Sequence, residues 1–215
     1  MSQATPTPTS LSDLRPDLKP IDHRPPASPA NTVKILIAGG FGVGKTTMVG
    51  AISEIQPLST EETLTQASAG IDSLTGVPAK ATTTVAMDFG RITFEGDPDA
   101  VLMLFGTPGQ DRFWFMWEDL ASGAIGAIVL ADTRRLDGAF PAIDFFEMKK
   151  LPFVVAVNCF DGLRTHTPDE IASALDIDPS VIPVIMIDAR AKTDVRQVLL
   201  TLLSHVVDHR RRTHS

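Results

Sequence analysis

One eight-residue segment constrains this chain more than any other feature. Residues 39–46 read GGFGVGKT, which matches the pattern G-x-x-x-x-G-K-[ST] without a gap, and they directly follow the β-branched run 33–38. Glycines let the backbone curl until consecutive N–H groups converge on an anion, and a following helix adds the positive end of its dipole. A plain glycine turn is the alternative, which the full match in this context disfavours. The segment therefore predicts a loop that binds nucleotide phosphates.

The pattern gives the residues of this loop separate tasks. Backbone N–H groups are expected to bind phosphate oxygens, Lys45 to reach the β- and γ-phosphates, and the Thr46 hydroxyl to bind Mg²⁺. The residues predicted to contact the nucleotide here are Gly39, Gly40, Phe41, Gly42, Val43, Gly44, Lys45, Thr46 and Thr47. A phosphate loop alone does not name the nucleotide, because kinases, ATPases and GTPases all use one.

The distribution of proline divides the chain into an arm and a domain. Seven of the 16 prolines lie in residues 1–32, a stretch with few large apolar residues. Such a segment does not bury enough apolar surface to offset its ordering entropy, so we predict a disordered arm, either a solvated tail or a partner-binding one. The domain is predicted over residues 33–209, and residues 210–215 are predicted to form a flexible basic tail.

Short apolar runs alternate with helical patterns from residue 33 onward. The strand-sized runs are 33–38, 83–95, 101–105, 125–131, 153–157 and 181–187, and the helical patterns are 140–150, 168–175 and 195–206. The short turn between the second and third runs makes them an antiparallel pair, and Thr167 before Pro168 is typical of a helix start. We therefore predict an α/β P-loop NTPase fold of three layers, with a mixed, mostly parallel sheet of about six strands.

Composition excludes several classes of function. The formal charge is −7, from 19 basic and 26 acidic residues, which argues against binding to a nucleic-acid backbone. One cysteine allows no internal disulfide, and five dispersed histidines make no zinc spacing. No segment approaches the roughly 20 apolar residues that span a bilayer, and the first residues lack the features of a secretory signal. We expect a cytoplasmic protein, with membrane attachment through a partner left open.

Two segments downstream of the loop carry a family resemblance. Residues 84–89 read TVAMDF and residues 105–113 read FGTPGQDRF. They resemble switch I (T-I-G-V-D-F in the Rab group) and switch II (W-D-T-A-G-Q-E-R-F) of the Ras-like small GTPases, which implies the small-GTPase version of the fold. By this resemblance Thr84 would bind Mg²⁺ and the γ-phosphate, the Gly109 N–H would bind the γ-phosphate, and Gln110 would orient the attacking water. The implied catalytic residues are Gln110, Lys45 and Thr84.

One position departs from this pattern. Switch II of the family begins with an acidic residue near Mg²⁺, and Gly106 stands at that position. Metal binding would then depend on Thr46, Thr84 and phosphate oxygens, or on a carboxylate that the sequence does not identify. We therefore expect weaker Mg²⁺ retention than in the family.

Two short segments resemble the base-binding motifs of the same superfamily. Residues 158–161 read NCFD and resemble N-K-x-D, while residues 188–190 read DAR and resemble S-A-K. By resemblance Asp161 would accept hydrogen bonds from guanine, Asn158 would brace the site, and the Ala189 N–H would bind guanine O6, with Arg190 in the same loop. Cys159 replaces the lysine and is interpreted as a packing thiol, because no histidine is near it in sequence.

Longer blocks suggest a bacterial branch of the superfamily. FGTPGQDRFWFMWEDL, LADTRRLD and AVNCFDG are similar to the actinobacterial conservon GTP/ATP-binding proteins, and distantly to the gliding-polarity GTPases. The resemblance implies GTP and GDP as ligands, Mg²⁺ as cofactor, and slow hydrolysis. It also implies a roadblock-type partner and a membrane sensor-kinase-like partner. A scaffold that binds nucleotide without hydrolysis stays open, as does a P-loop ATPase or small-molecule kinase.

Further features leave alternatives of their own. The run 113–117, FWFMW, is either a partner surface beside switch II or a helix packed on the sheet. The segment 57–81 is longer than most connections and is predicted to hold a mobile switch I. None of the arginines is assigned as an intrinsic arginine finger, so hydrolysis is expected to depend on an activating partner.

Overall fold

Seven strands and five α-helices alternate along the part of the chain that the structure describes. The structure, a computed structural model, describes residues 32–56, 58–65, 82–94, 100–109 and 115–213, and only the backbone of residues 58–65, 82–86, 115 and 161. The strands are β1 (Thr32–Ala38), β2 (Leu58–Thr65), β3 (Thr82–Phe94), β4 (Ala100–Gly106), β5 (Ala124–Ala131), β6 (Phe153–Asn158) and β7 (Val184–Ile187). The helices are α1 (Lys45–Ile52), α2 (Phe115–Ala121), α3 (Phe140–Lys149), α4 (Pro168–Ala174) and α5 (Lys192–Thr213).

The strands form one mixed sheet in the order β2-β3-β4-β1-β5-β6-β7. β3 runs antiparallel to both of its neighbours, whereas β4, β1, β5, β6 and β7 are parallel to one another. The predicted α/β fold and the antiparallel pair are confirmed. The sheet has one strand more than the six expected, because residues 58–65 pair with β3 although they carry no apolar run.

Helices cover both faces of the sheet, and the pattern of β1 explains why. Ile35 and Ile37 lie in one apolar core with α1 and α5, whereas Leu36 and Ala38 lie in the other with α2, α3 and α4. Alternate residues of a strand point to opposite faces, so a strand covered on both sides must be apolar throughout. Within the described ranges, no helix is long and apolar enough to cross a membrane.

Helix α5 follows the predicted apolar stripe but ends later than expected. Its buried residues are Val195, Val198, Leu199, Leu202 and Val206, as the helical period requires. The helix continues to Thr213, so Arg210, Arg211 and Arg212 form its last turn. The prediction of a flexible basic tail over residues 210–215 is therefore wrong for residues 210–213. Basic side chains suit this position, because the carboxyl end of a helix carries partial negative charge.

The start of α4 confirms the predicted cap. Thr167 is the N-cap residue and Pro168 takes the first helical turn. The Thr167 hydroxyl accepts a hydrogen bond from the Glu170 N–H at 3.2 Å, and the Glu170 carboxylate accepts one from the Thr167 N–H at 2.8 Å. This reciprocal pair satisfies two backbone donors that a helix start otherwise leaves unpaired.

Candidate functional site

The carboxyl ends of the parallel strands meet at one edge of the sheet. The segments that follow them are 39–44 after β1, 107–109 after β4, 132–135 after β5, 159–162 after β6 and 188–190 after β7. Ligands of open α/β sheets bind outside these ends, where the loops leave a crevice. Five segments that are far apart in sequence therefore meet at one edge of the sheet.

The phosphate loop has the curled backbone that its sequence predicts. Gly39, Gly42 and Gly44 have φ angles of 134°, 74° and 108°, a region that side chains rarely allow. The Lys45 ammonium donates to the carbonyl oxygens of Gly39 and Gly40, both at 2.8 Å. Burial lowers the pKa of Lys45 to about 8, and the negative charge of Asp88 opposes this shift. A bound phosphate would add further negative charge beside this half-buried lysine and so favour its charged form.

Gly109 packs directly against the phosphate loop. A Cβ atom at this position would lie 2.6 Å from the Lys45 Nζ and 3.0 Å from the Gly40 carbonyl oxygen. Only a glycine fits at this approach, as expected for a backbone N–H that serves a phosphate. Gln110, the predicted catalytic residue that follows, lies outside the described residues.

A carboxylate lies beside Thr46, although the sequence did not identify one. The Thr46 Oγ1 donates to the Asp88 Oδ2 at 2.7 Å, and Asp88 is only 7% exposed. Asp88 pairs in register with Gly106 on the neighbouring strand. An oxygen pair of this kind fits Mg²⁺, which prefers one or two carboxylates together with phosphate oxygens. The sequence contained Asp88 within the segment TVAMDF, which could have suggested a carboxylate near the metal site. Only strand pairing places Asp88 opposite Gly106.

Thr84, the other predicted metal ligand, lies on β3 and pairs with Thr63 of β2. It is four residues from Asp88 along the strand, which corresponds to about 13 Å at ~3.3 Å per residue. The structure therefore does not bring Thr84 to Thr46, and its contact with Mg²⁺ stays a prediction. β2 also lies inside the segment 57–81 that was expected to hold a mobile switch I; residues 66–81 lie outside the described ranges.

Asn158 joins the phosphate loop to the loop after β7. Its side-chain Nδ2 donates to the Val43 carbonyl oxygen at 3.0 Å, and its Oδ1 accepts the Ala189 N–H at 3.0 Å. The residue is 5% exposed, so both bonds are made in the interior. Asn158 therefore joins the two loops, whereas its part in a nucleotide site stays a prediction. The Ala189 N–H, expected to bind guanine O6, donates to Asn158 instead.

A cavity of about 80 Å³ lies beside this bridge, and its lining combines both loops: Gly44, Thr47, Asn158, Phe160, Asp188, Ala189 and Arg190. Asp161 belongs to the short 3₁₀ helix Phe160–Gly162 next to it. The Arg190 guanidinium forms a fork with the Asp188 carboxylate, with bonds of 2.8 and 2.9 Å, and this fork lowers the pKa of Asp188 to about 2. Arg190 thus orders the rim of the cavity.

Two arginines that the sequence left unassigned lie at the same edge. Arg134 pairs with the buried Asp132 carboxylate at 2.8 Å, and its guanidinium lies 3.9 Å from the centre of the Phe160 ring. Arg135 donates to the Phe41 carbonyl oxygen at 2.9 Å. Both side chains therefore stiffen loops around the nucleotide crevice.

Within the aromatic run 113–117, the structure describes the side chains of Met116 and Trp117. Trp117 is 3% exposed, lies edge-on to Phe145, and donates its indole N–H to the Pro108 carbonyl oxygen at 3.4 Å. Trp117 is therefore a core residue that also supports the loop after β4. Phe113 and Trp114 lie outside the described residues, so a partner surface there stays a prediction.

The fold and this edge define a nucleotide-binding protein of the P-loop class. The family described as conserved hypothetical ATP binding protein matches residues 37–209. The match covers most of the chain, and the chain belongs to this family. The uncharacterized protein MJ1339 of Methanocaldococcus jannaschii is 33% identical over 131 residues, which are 60% of this chain and 71% of that protein.

Solved structures have the same architecture. The cytosolic domain of the T. maritima FeoB iron transporter resembles this chain with a TM-score of 0.57 and 16% identity in its GDP form I, and 0.56 and 17% in its apo form. The likeness extends over 84% and 81% of this chain, which spans 64% of the length of each of those chains. At such low identity the likeness establishes the fold alone.

Proposed function

We propose that this protein is a GTP-binding switch that hydrolyses GTP slowly with the help of Mg²⁺. The observation that carries the proposal is the Asn158 bridge between Val43 and Ala189. This bridge lies beside a cavity of about 80 Å³ next to the phosphate loop, with the N-x-x-D segment 158–161 adjoining it. An aspartate at position 161 accepts hydrogen bonds from the N1 and the exocyclic amine of guanine, which adenine cannot donate in the same pattern.

The chain's own residues account for triphosphate binding. Lys45 supplies positive charge, backbone N–H groups of the glycine loop donate to phosphate oxygens, and Gly109 allows close approach of its own N–H. When bound, Mg²⁺ would neutralise phosphate charge that develops during transfer, and the Thr46 hydroxyl would be one of its ligands. Gln110 orients the attacking water in this proposal.

Base preference is tested by displacement of a fluorescent GDP analogue. GTP should displace it at least tenfold more effectively than ATP, and Asp161→Asn should move preference from guanine to xanthine nucleotides. Asp169→Asn, an exposed carboxylate in the first turn of α4, is the matched control and should change nothing. Lys45→Ala should abolish tight binding of every nucleotide. Guanine selectivity that survives Asp161→Asn would contradict the base assignment.

ATP is the second candidate, and one observation favours it. The Ala189 N–H already donates to Asn158, so the donor that guanine O6 would need is occupied. The family description, conserved hypothetical ATP binding protein, points the same way. If ATP displaces the analogue as well as GTP does, and Asp161→Asn leaves this unchanged, the protein is a P-loop ATPase rather than a GTPase.

Hydrolysis is tested in single turnovers with and without a roadblock-type protein. Gln110→Leu should slow hydrolysis at least tenfold while nucleotide binding persists, since glutamine positions water and does not hold the phosphate. The partner should accelerate the wild type. These partners, and signalling at a membrane sensor-kinase-like complex, are supported by sequence resemblance alone. No turnover under either condition would favour the alternative of a nucleotide-binding scaffold.

A further inference from the structure

Asp88 is a buried carboxylate, and the partners of its side chain among the described residues belong to the phosphate loop. It is 7% exposed, accepts the Thr46 hydroxyl at 2.7 Å, and attracts the Lys45 ammonium. Moving a carboxylate out of water costs several kcal/mol unless the carboxylate is paired or hydrogen-bonded. Neither partner belongs to the hydrophobic core, so the charge of Asp88 serves the phosphate site rather than the packing of the sheet.

Gly106 provides the space that Asp88 occupies. The two residues are paired across β3 and β4. A Cβ atom at position 106 would lie 3.0 Å from the Asp88 Cβ and 3.1 Å from its Oδ2. Any side chain at position 106 would therefore crowd the carboxylate and force it to shift. The missing side chain at position 106 therefore leaves room for the acidic side chain at position 88 on the neighbouring strand.

We propose that Asp88 supplies the carboxylate of the Mg²⁺ site from β3, across the sheet from Gly106. This inference rests on the proposed function, because it assumes that Mg²⁺ accompanies the nucleotide. A hydroxyl has one proton to donate. Since Thr46 gives its proton to Asp88, its lone pairs face outward and are fixed for a cation. Asp88 is thus a positioning residue that acts through Thr46, and Mg²⁺ retention is not weakened by Gly106.

The test measures how Mg²⁺ slows nucleotide release. The rate of release is measured for the fluorescent nucleotide that the wild type binds. The first measurement is made in excess EDTA, and the free Mg²⁺ concentration is then raised in steps. For Asp88→Asn, which preserves shape but removes the charge, the Mg²⁺ concentration for half-maximal slowing should rise about 10- to 100-fold, the usual loss when a group supporting a ligand is removed. Asp178→Asn, whose exposed carboxylate accepts the Ser180 N–H, is the control and should keep the wild-type value.

Two further variants separate the metal role from a structural one. Gly106→Asp alone should lose the Mg²⁺ response, because the added side chain collides with Asp88 and brings a second negative charge. The exchange D88G/G106D, which moves the carboxylate to the other strand and restores the space, should recover most of the response. A merely structural role for Asp88 would not produce recovery through a carboxylate on β4.

A wild-type half-maximal Mg²⁺ concentration in folded Asp88→Asn overturns the inference. If Asp88→Asn does not fold, the exchange variant replaces it, and a folded D88G/G106D without a Mg²⁺ response overturns the inference as well. The inference is also overturned if the wild type binds nucleotide but releases it at a rate that does not depend on Mg²⁺. That result would leave the proposal of a nucleotide site intact. A wild type that binds no nucleotide refutes the proposed function instead.

Discussion

At the residue scale, the buried polar side chains of the described part of the chain mark the site. They are Asp88, Thr107, Asp132 and Asn158, each less than 9% exposed. Asp88 and Asn158 bond to the phosphate loop, and Asp132 pairs with Arg134 beside it. The Thr107 hydroxyl has no hydrogen-bond partner among the described residues, although it adjoins Gly106. Buried polar groups are normally satisfied, so their concentration at one edge indicates function rather than packing.

Cys159 lies within the N-x-x-D segment 158–161, and its thiol is packed in the interior. It is 3% exposed, and its thiol contacts the Val157 carbonyl oxygen at 3.6 Å. Burial raises the pKa of the Cys159 thiol, so less of it is thiolate at any given pH than of an exposed cysteine. These observations agree with the interpretation of Cys159 from sequence, and they predict low reactivity.

The buried Cys159 thiol should react slowly with a disulfide reagent in the native protein. Because this is the chain's only cysteine, the rate reports one thiol. At pH 7.5 the native protein should react at least tenfold more slowly than the protein unfolded in urea, and its rate should rise with pH as thiolate forms. A cysteine-containing peptide at the same pH is the control for the reagent. Native labelling as fast as the unfolded rate would mean that Cys159 is exposed or activated.

At the element scale, periodicity predicted the strands and helices that have a strong apolar pattern. β1, β5, β6 and α5 lie where the sequence indicates them, because continuous or 3.6-period apolar residues leave few alternatives. β2 was missed because LSTEETLT has no apolar run, and its strand state comes from pairing with β3. Gly126 illustrates a contact that no pattern reveals: a Cβ atom there would meet Val206 and Leu202 of α5 at 2.9 and 3.0 Å.

The packing of α5 on the sheet predicts an asymmetric response to truncation. Leu202 is fully buried, whereas Leu200, two residues earlier, is 43% exposed. Leu202→Ala should lower the free energy of unfolding by about 2–5 kcal/mol, since it leaves a cavity under the helix. Leu200→Ala is the matched control and should change it by about 0.5 kcal/mol or less. Urea denaturation measures both, and equal losses would contradict the assignment of the buried face.

At the scale of the whole molecule, the candidate site is assembled by topology. Residues 39–46 and 188–190 are far apart in the chain, but β1 and β7 end at the same edge of one parallel sheet. Asn158, at the end of β6, then links their loops through two buried hydrogen bonds. The sheet therefore determines which polar residues share the crevice, and the helices on both faces hold it in place.

The sequence by itself determined the phosphate loop, the α/β class and the place of the N-x-x-D segment 158–161, because each depends on local spacing: glycines that allow positive φ, apolar periods, and a polar residue directly after a strand. Only the tertiary structure decided which groups meet. Asp88 reaches Thr46 because β3 lies beside β4, and the Ala189 N–H binds Asn158 because β6 and β7 are neighbours. The register of paired strands determines which residues face each other. Residues that are distant in sequence come into register only when the sheet forms.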